Sequence, residues 1–433
     1  MRTLIILRGP GDSGRASFAH VQGVSDWVID QELIERILSE PVSDPQGNLR
    51  SDPHQRSRLR GRVLAMLEEK MTRGALIVFR PSDTGVPYAR TTPSASDRMI
   101  TSAIEMARKH RYRVVIVDFA NQACATHIAA RRDKNGGASN KIAIEREIAH
   151  MKRRVGIPVG DDITWVDAAA SIDLLSLIEP KTIELDPAKN IVIIGDIHGC
   201  YKTLEKLTDG FEVRDDSYYI FLGDYINKGP ESGRVLHTLL ERFVPKSNCF
   251  FLTGNHERPL CDWVRGADIP KKAFLRTGLP SLEASGVTRG DARAFLDRCL
   301  DGARFRWRGL DILATHGGFA RPPKRLAVLS TEHLQFGTDA AHFDADGAWE
   351  ANVLSGDISG PARLIQVHGH RNPRGLPVSA GIGSFNLEDG IDRGGPLRAL
   401  ALSPVADADL SYRARAICIQ NLDVMRREDS SAA

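Results

Sequence analysis

Five times from residue 191 onward in this 433-residue chain, an apolar run ends beside a glycine in a residue that can hold a metal ion. Ile191–Ile194 leads into Gly195-Asp196-Ile197-His198-Gly199, and Tyr218–Leu222 into Gly223-Asp224. Cys249–Leu252 leads into Thr253-Gly254-Asn255-His256-Glu257, Ile312–Ala314 into Thr315-His316-Gly317, and Leu364–Val367 into His368-Gly369-His370. Side chains at i and i+2 of an extended segment point the same way, so Asp196 and His198 can grip one cation. The glycine that follows lets the backbone turn away without a Cβ clash. One such segment arises easily by chance; five in series describe strands that deliver donors to one rim of a sheet.

The elements that must position these donors are buried strands separated by helices. They occupy residues 191–425, with 426–433 reading as a polar tail. Residues 171–190 read as a linker, because prolines bracket the polar stretch Pro180–Asn190. Ahead of it, residues 1–170 alternate apolar runs (Leu4–Leu7, Trp27–Ile29, Ala75–Phe79, Val114–Val117) with helix-like segments near Gln31–Ser39, Gln55–Met71, Ser96–His110 and Ala143–Arg154. That alternation predicts an α/β domain with a parallel sheet, which takes ligands at the carboxyl ends of its strands.

The first strand of this domain is followed by Gly9-Pro10-Gly11-Asp12-Ser13-Gly14-Arg15-Ala16-Ser17. A phosphate-cradling loop of the form G-x-x-x-x-G-K-[ST] uses backbone amides for phosphates, a Lys for the β/γ-phosphates and a hydroxyl for Mg²⁺. Gly9 and Gly14 have the right spacing. Arg15 stands where the Lys would be and Ala16 where the hydroxyl would be, with Ser17 one position along. Arg keeps the charge but is forked and bulkier. In purely structural terms, Gly9–Gly14 is a tight turn, Asp30 a helix cap, and Arg131/Arg132 a solvated helix end.

Composition narrows the rest. The formal charge of +3 over 433 residues points to no strongly charged partner surface, and 42% hydrophobic with 26% charged residues is ordinary for a globular chain. The six cysteines are scattered with no Cys-x-x-Cys pair, which excludes a disulfide framework or structural zinc site and suggests reduced thiols in the cytoplasm. No apolar run approaches the roughly 18 residues of a membrane span, and the opening MRTLIILRG is too short for a signal peptide. Oligomeric state is not legible.

Residues 1–170 resemble the P-loop kinase domain of polynucleotide kinases. The resemblance implies ATP with Mg²⁺ on Gly9, Gly14, Arg15 and Ser17, Asp30 activating a 5′-hydroxyl, and lid arginines at Arg131 and Arg132. GDIHG, GD-x-x-N-K-G, GNHE, HGG and GH, over about residues 190–400, resemble the calcineurin-like binuclear metallophosphoesterases. That family implies a β-sandwich flanked by helices and two divalent cations about 3.5–4 Å apart for in-line attack. By match, Asp196 and His198 hold the first metal, Asp224 bridges, and Asn255, His316 and His370 complete the second site. His256 would be the general acid. Such mixed donors suit Mn²⁺ first, then Fe, Zn²⁺ or Ni²⁺, over Ca²⁺.

Two positions depart from that family. Asn227 replaces an Asp that charges the general-acid His, and Lys228 replaces an Arg that clamps phosphate. Gly390–Leu400 is similar to the I-D-T-G…G-G-x-L-x-A-L ending of end-healing phosphatases, with Asp392 in place of the Asp. His368 reads as an auxiliary or packing residue, and the insertion between Phe319 and Leu364, with His333, Asp339, His342, Asp344 and Asp346, as a solvated polar loop or one that shapes substrate access.

Together these resemblances imply a nucleic-acid end-healing enzyme. It would remove a 3′-phosphate or 2′,3′-cyclic phosphate from RNA (or DNA) ends, be fused to a 5′-kinase domain, and rely on a separate ligase. The alternative is a phosphoprotein phosphatase or dinucleoside-polyphosphate hydrolase with a non-catalytic first domain.

Overall fold

The computed structural model describes residues 2–10, 13–38, 41–43, 49–51, 53–82, 93–120, 145–146, 148–337, 344–355, 364–378, 383–405 and 411–423. Arg131 and Arg132, Gly11, Asp339, His342 and the tail 426–433 lie outside them. The chain divides into two compact units, residues 1–179 and 180–433.

In the first unit, β1 (Thr3–Arg8), β2 (Val28–Asp30), β5 (Ile77–Arg80), β6 (Arg113–Asp118) and β7 (Ile163–Asp167) form a parallel sheet in the order β2-β5-β1-β6-β7. A short antiparallel pair, β3 (Pro41–Ser43) and β4 (Leu49–Ser51), stands apart. The expected helices are present as Gln31–Leu38, Pro53–Thr72 and Ala95–Lys109. Leu4–Leu7 and Val114–Val117 are buried on both faces, as central parallel strands require.

The stretch expected to be a linker is folded. Asp173 caps a helix, Leu174–Ile178, whose ends Leu174 and Ile178 are fully buried. The Gln22 side chain clasps it, donating to Ile172 O and accepting from Leu174 N–H. Past Pro180, β8 (Ile183–Glu184) pairs with a strand of the second unit. The prolines that suggested a spacer, Pro180 and Pro187, bracket β8, a strand of the second unit.

The second unit packs two sheets face to face. One orders β12 (Cys299–Leu300), β11 (Cys249–Leu252), β10 (Ser217–Phe221), β9 (Asn190–Ile194), β17 (Leu397–Pro404) and β18 (Tyr412–Ile419); the other orders β16 (Ser384–Asn386), β15 (Leu364–His368), β14 (Leu310–Thr315), β13 (Gly302–Trp307) and β8. Alternation decides which core each residue enters. Ile191, Ile193, Ile220 and Leu252 meet Phe305, Ile312 and Val367 between the sheets. Ile194, Phe221 and Phe251 face outward, under the helices that carry Leu236, Leu260 and Phe295. With both faces covered, these strands read as unbroken apolar runs, and side-chain donors emerge only where the strands end. No helix among the described residues is long and apolar enough to cross a membrane.

Candidate metal centre

The five strand ends converge. His198, past β9, brings Nε2 to 3.6 Å from Asp224 Oδ2, past β10. His316, past β14, places Nε2 3.4 Å from the same oxygen and 3.2 Å from Asn255 Oδ1. Past β15, the His370 amide donates to both Asp196 oxygens at 3.3 Å. Two groups are able to chelate, His198–Asp224–His256 and Asp224–His316–His370, and Asp224 belongs to both. The second matches the expected site. In the first, His256 joins His198 and Asp224, while the Asp196 carboxylate accepts from the His370 amide and lies 3.9 Å from His316 Nδ1.

Backbone carbonyls fix the ring orientations. His316 Nδ1 lies 3.0 Å from Leu222 O and His198 Nδ1 lies 3.4 Å from Ile226 O. A proton held on Nδ1 by a carbonyl leaves Nε2 as the free donor, the usual arrangement for a metal-binding imidazole. The backbone itself is held under strain. Half of the ten described non-glycine residues with positive φ are His198 (48°), Asp224 (51°), Asn227 (70°), Lys228 (67°) and His370 (67°). Such conformations persist only where the surroundings over-determine them. Glycines make room for the carboxylates: a Cβ on Gly254 would collide with Asp224 Oδ1, and one on Gly369 with Asp196 Oδ1.

The charge pattern is that of a site built around a cation. Burial and the neighbouring Glu388 carboxylate push the Asp196 pKa well up. Burial opposes ionisation of Asp224 too, yet His316 and His198 draw its pKa well below the usual range. Burial also works against a charge on His316, but Asp224 and Asp196 lift its pKa to about 10, so its proton supplies the positive charge. Burial drives His256 down to about 3 and His370 to about 2, leaving both rings neutral and able to bind metal. Four buried atoms here have no hydrogen-bond partner: Asn227 Oδ1, His256 Nδ1, His370 Nε2 and Glu388 Oε2. Orphaned buried polar atoms are rare, and nitrogen and oxygen donors of this kind fit divalent transition ions.

Around this core the expected auxiliary residues take specific places. Lys228 Nζ lies 3.3 Å from His198 Nε2 and 3.4 Å from Asp392 Oδ2. Asn227, in place of the family's Asp, donates its Nδ2 to the His256 backbone carbonyl at 3.1 Å. Asp392, the acid of the C-terminal motif, pairs with Lys228, and the acid beside Asp196 is Glu388. Glu388 follows β16 without the apolar run or adjacent glycine that marks the other five strand ends, and so was overlooked. Glu257 was seen only as part of GNHE. Its carboxylate accepts from the amides of Asp224, Tyr225 and Gly254, fixing the bridging loop to the Asn255 loop. Lys228, His370, Arg371, Asn372, Glu388, Asp392 and Arg393 line a cleft of about 580 Å³ opening from the centre.

The first unit does not place its predicted residues as a phosphate cradle. Arg15 is 3% exposed and turns inward, donating to Leu7 O and Pro81 O at the ends of β1 and β5. Ser17 lies exposed on the helix Arg15–Val21, and Gly14 caps that helix at φ 87°. Asp30 accepts from Leu33 N–H and pairs with Arg80, so it serves as the cap of the next helix.

Residues 189–395 match the family model for calcineurin-like phosphoesterases. They form a calcineurin-like metallophosphoesterase domain. Over 101 residues the chain is 35% identical to the asymmetrical bis(5′-nucleosyl)-tetraphosphatase PrpE of Halalkalibacterium halodurans, covering 21% of this chain and 41% of the relative. A 67-residue stretch is 40% identical to the symmetrical bis(5′-nucleosyl)-tetraphosphatase of Wigglesworthia glossinidia brevipalpis, covering 15% of this chain and 23% of that protein. The chain therefore spans less than half the length of these curated relatives. Among solved structures, a protein serine/threonine phosphatase from Saccharomyces cerevisiae overlays 58% of this chain and 87% of its own, at 16% identity and a TM-score of 0.38. At that score the assignment rests on the sequence match and the site, not on the overlay.

Proposed function

We propose that the second unit is a two-metal phosphohydrolase that removes terminal phosphate from nucleic-acid ends. The observation behind the hydrolase is one carboxylate, Asp224, shared by two groups of metal-competent donors. Divalent ions held there, Mn²⁺ foremost, would polarise a phosphoryl oxygen and supply a nucleophile at neutral pH. Asp196 and His198 would hold one ion and Asn255, His316 and His370 the other, with Asp224 shared between them. His256, neutral in the isolated protein, gains proton affinity when an anionic phosphate approaches it. That is what a proton donor to the leaving oxygen needs. Lys228 faces the cleft as a point charge for phosphate.

The nucleic-acid end is the finer part of the reading. It rests on the likeness of Gly390–Leu400 to the end-healing phosphatases and on the α/β unit ahead of the domain. With Arg15 turned inward, we assign no phosphoryl transfer to that unit. Dinucleoside polyphosphates are the second reading, favoured by the activity named for both curated relatives.

One panel separates them. The purified protein with Mn²⁺ is offered a 3′-phosphate RNA, diadenosine tetraphosphate and a phosphopeptide. The proposal expects release of phosphate from the RNA with the highest kcat/KM. Preference for the dinucleotide selects the second reading, and failure on all three by metal-loaded protein overturns the hydrolase. ATP-dependent labelling of a 5′-hydroxyl end is expected to be absent.

A further inference from the structure

The insertion between Phe319 and Leu364 carries a residue that its sequence did not distinguish from solvated loop. Asp346 lies in the first turn of the helix Ala345–Leu354 and is 7% exposed. Its Oδ1 accepts from Ser384 Oγ at 2.5 Å and lies 3.0 Å from His368 Nε2. Its Oδ2 accepts from Asn386 Nδ2 at 3.0 Å. His368 and Asn386 are register partners, the last residues of β15 and β16. One carboxylate thus ties together the ends of two adjacent strands.

Those ends are where the centre's donors begin. His370 lies two residues beyond His368, and Glu388 two residues beyond Asn386. Asn386 relays the tie directly, since its Oδ1 accepts from the Glu388 amide at 3.1 Å while its Nδ2 also reaches Arg371 O at 2.6 Å. The helix is held by ion pairs as well: Arg374, in the loop after His370, pairs with Asp344 and Glu350. Trp349 of the same helix is fully buried against the strand edge.

We propose that Asp346 is a positioning residue for the metal centre, fixing the strand ends from which His370 and Glu388 project. It touches neither metal nor substrate, and it acts through His368 and Asn386. Groups that orient metal-binding side chains matter by about 10- to 100-fold in metal affinity, and this one is delivered by the insertion. The proposal rests on the metal-centre reading.

The two available changes act differently. Asp346→Ala removes both branches. Asp346→Asn keeps an oxygen for His368 and Ser384 but turns an amide toward Asn386 Nδ2. Asn386 cannot flip to meet it without giving up the Glu388 amide. The experiment titrates Mn²⁺ calorimetrically into wild type and both variants, with melting temperature measured on the metal-free proteins. Weakening by about 10- to 100-fold for Ala, and a smaller loss for Asn, is the expected result. If the Ala variant does not fold, a folded Asn variant with wild-type affinity still overturns the proposal. A lowered melting temperature with unchanged affinity overturns it too, since that assigns Asp346 to packing alone. Wild-type protein that takes up no Mn²⁺ overturns the metal centre and the proposal together, whereas normal wild-type binding with unaffected variants overturns the proposal alone.

Discussion

Asp224 Oδ2 lies 3.4 Å from His316 Nε2, and neither side chain has more than 2% of its surface exposed. The same oxygen is 3.6 Å from His198 Nε2, so one carboxylate faces two imidazoles on strands from different sheets. No other residue belongs to both chelating groups. Replacing it removes the shared donor but keeps the shape. Asp224→Asn is expected to lower Mn²⁺-dependent phosphate release by at least about 100-fold, in line with the several kcal/mol that such ions supply. Metal content by mass spectrometry should fall from two ions per chain toward one or none, and undiminished content would refute the bridging role.

Glu257 makes a related prediction that concerns the loop rather than the ion. Its carboxylate accepts three backbone amides, from Asp224, Tyr225 and Gly254. Glu257→Gln presents an NH₂ to amides that need acceptors, and a buried donor without a partner costs about 1–3 kcal/mol. Urea unfolding should register that loss. Glu257→Ala, which leaves three amides without an acceptor, is expected to cost more.

How much of this could be read in the sequence depends on whether local chemistry or long-range packing makes the feature. Asp196, His198, Asp224, His316 and His370 were legible because each follows an apolar run and precedes or follows a glycine. That pattern is forced by strands buried on both faces. Glu388 lacks both marks, since Ser384-Phe385-Asn386-Leu387 is no apolar run and no glycine adjoins it, while Asp392 four residues later suits the family's motif and drew attention away. Arg15 has the right spacing for a phosphate site, and only the fold reveals that its guanidinium reaches the carbonyls of Leu7 and Pro81. Asp346 was illegible for a deeper reason. A carboxylate amid Asp, His and Gly looks solvated until β15 and β16 bring His368, Ser384 and Asn386 around it.

In the first unit, acid stability turns on Asp97. Burial raises its pKa, but the Ser94 hydroxyl at 2.7 Å and Arg8 at 3.4 Å outweigh that and leave it below the ordinary carboxylate range. A depressed acid stabilises the fold above its unfolded pKa of about 3.9, and that contribution disappears as pH falls through the lower folded value. Stability to urea should therefore be level in this respect above about pH 5 and drop below about pH 4. Asp97→Asn should flatten the drop. It also leaves Arg8, 1% exposed, with a weakened partner set, so a loss of about 3–5 kcal/mol at neutral pH is expected.

Thiol reactivity tests the packing around the centre without touching it. Burial pushes both Cys200 and Cys249 up to about 12. At pH 8 that leaves about one thiolate in 10⁴ at each, against roughly a quarter for a free cysteine. Ellman's reagent should label exposed Cys418 at once in the native protein and spare Cys200 and Cys249. All six cysteines should react in denaturant. Fast native labelling of Cys200 would mean that the helix start behind His198 opens far more readily than its burial implies.

The cleft leading from the centre sets the last expectation. Arg371 and Arg393 line it together with Lys228, while Lys228 is engaged by Asp392 and Asp389 by Arg398. A substrate whose scissile phosphate sits at the metals would send the rest of its chain past these guanidiniums. Arg forms charge-assisted, often bidentate bonds to phosphate, each worth about 1.5–3 kcal/mol, or roughly 10- to 100-fold in rate constant. Arg371→Ala and Arg393→Ala should lower kcat/KM by about that factor for RNA or dinucleoside polyphosphate, which carry further phosphates. p-Nitrophenyl phosphate carries only the scissile one, so its turnover should change by less than about threefold, because nothing in it reaches the arginines. Equal losses on all substrates would place the two side chains in the chemistry at the metals, and no loss on any would place the substrate's path elsewhere.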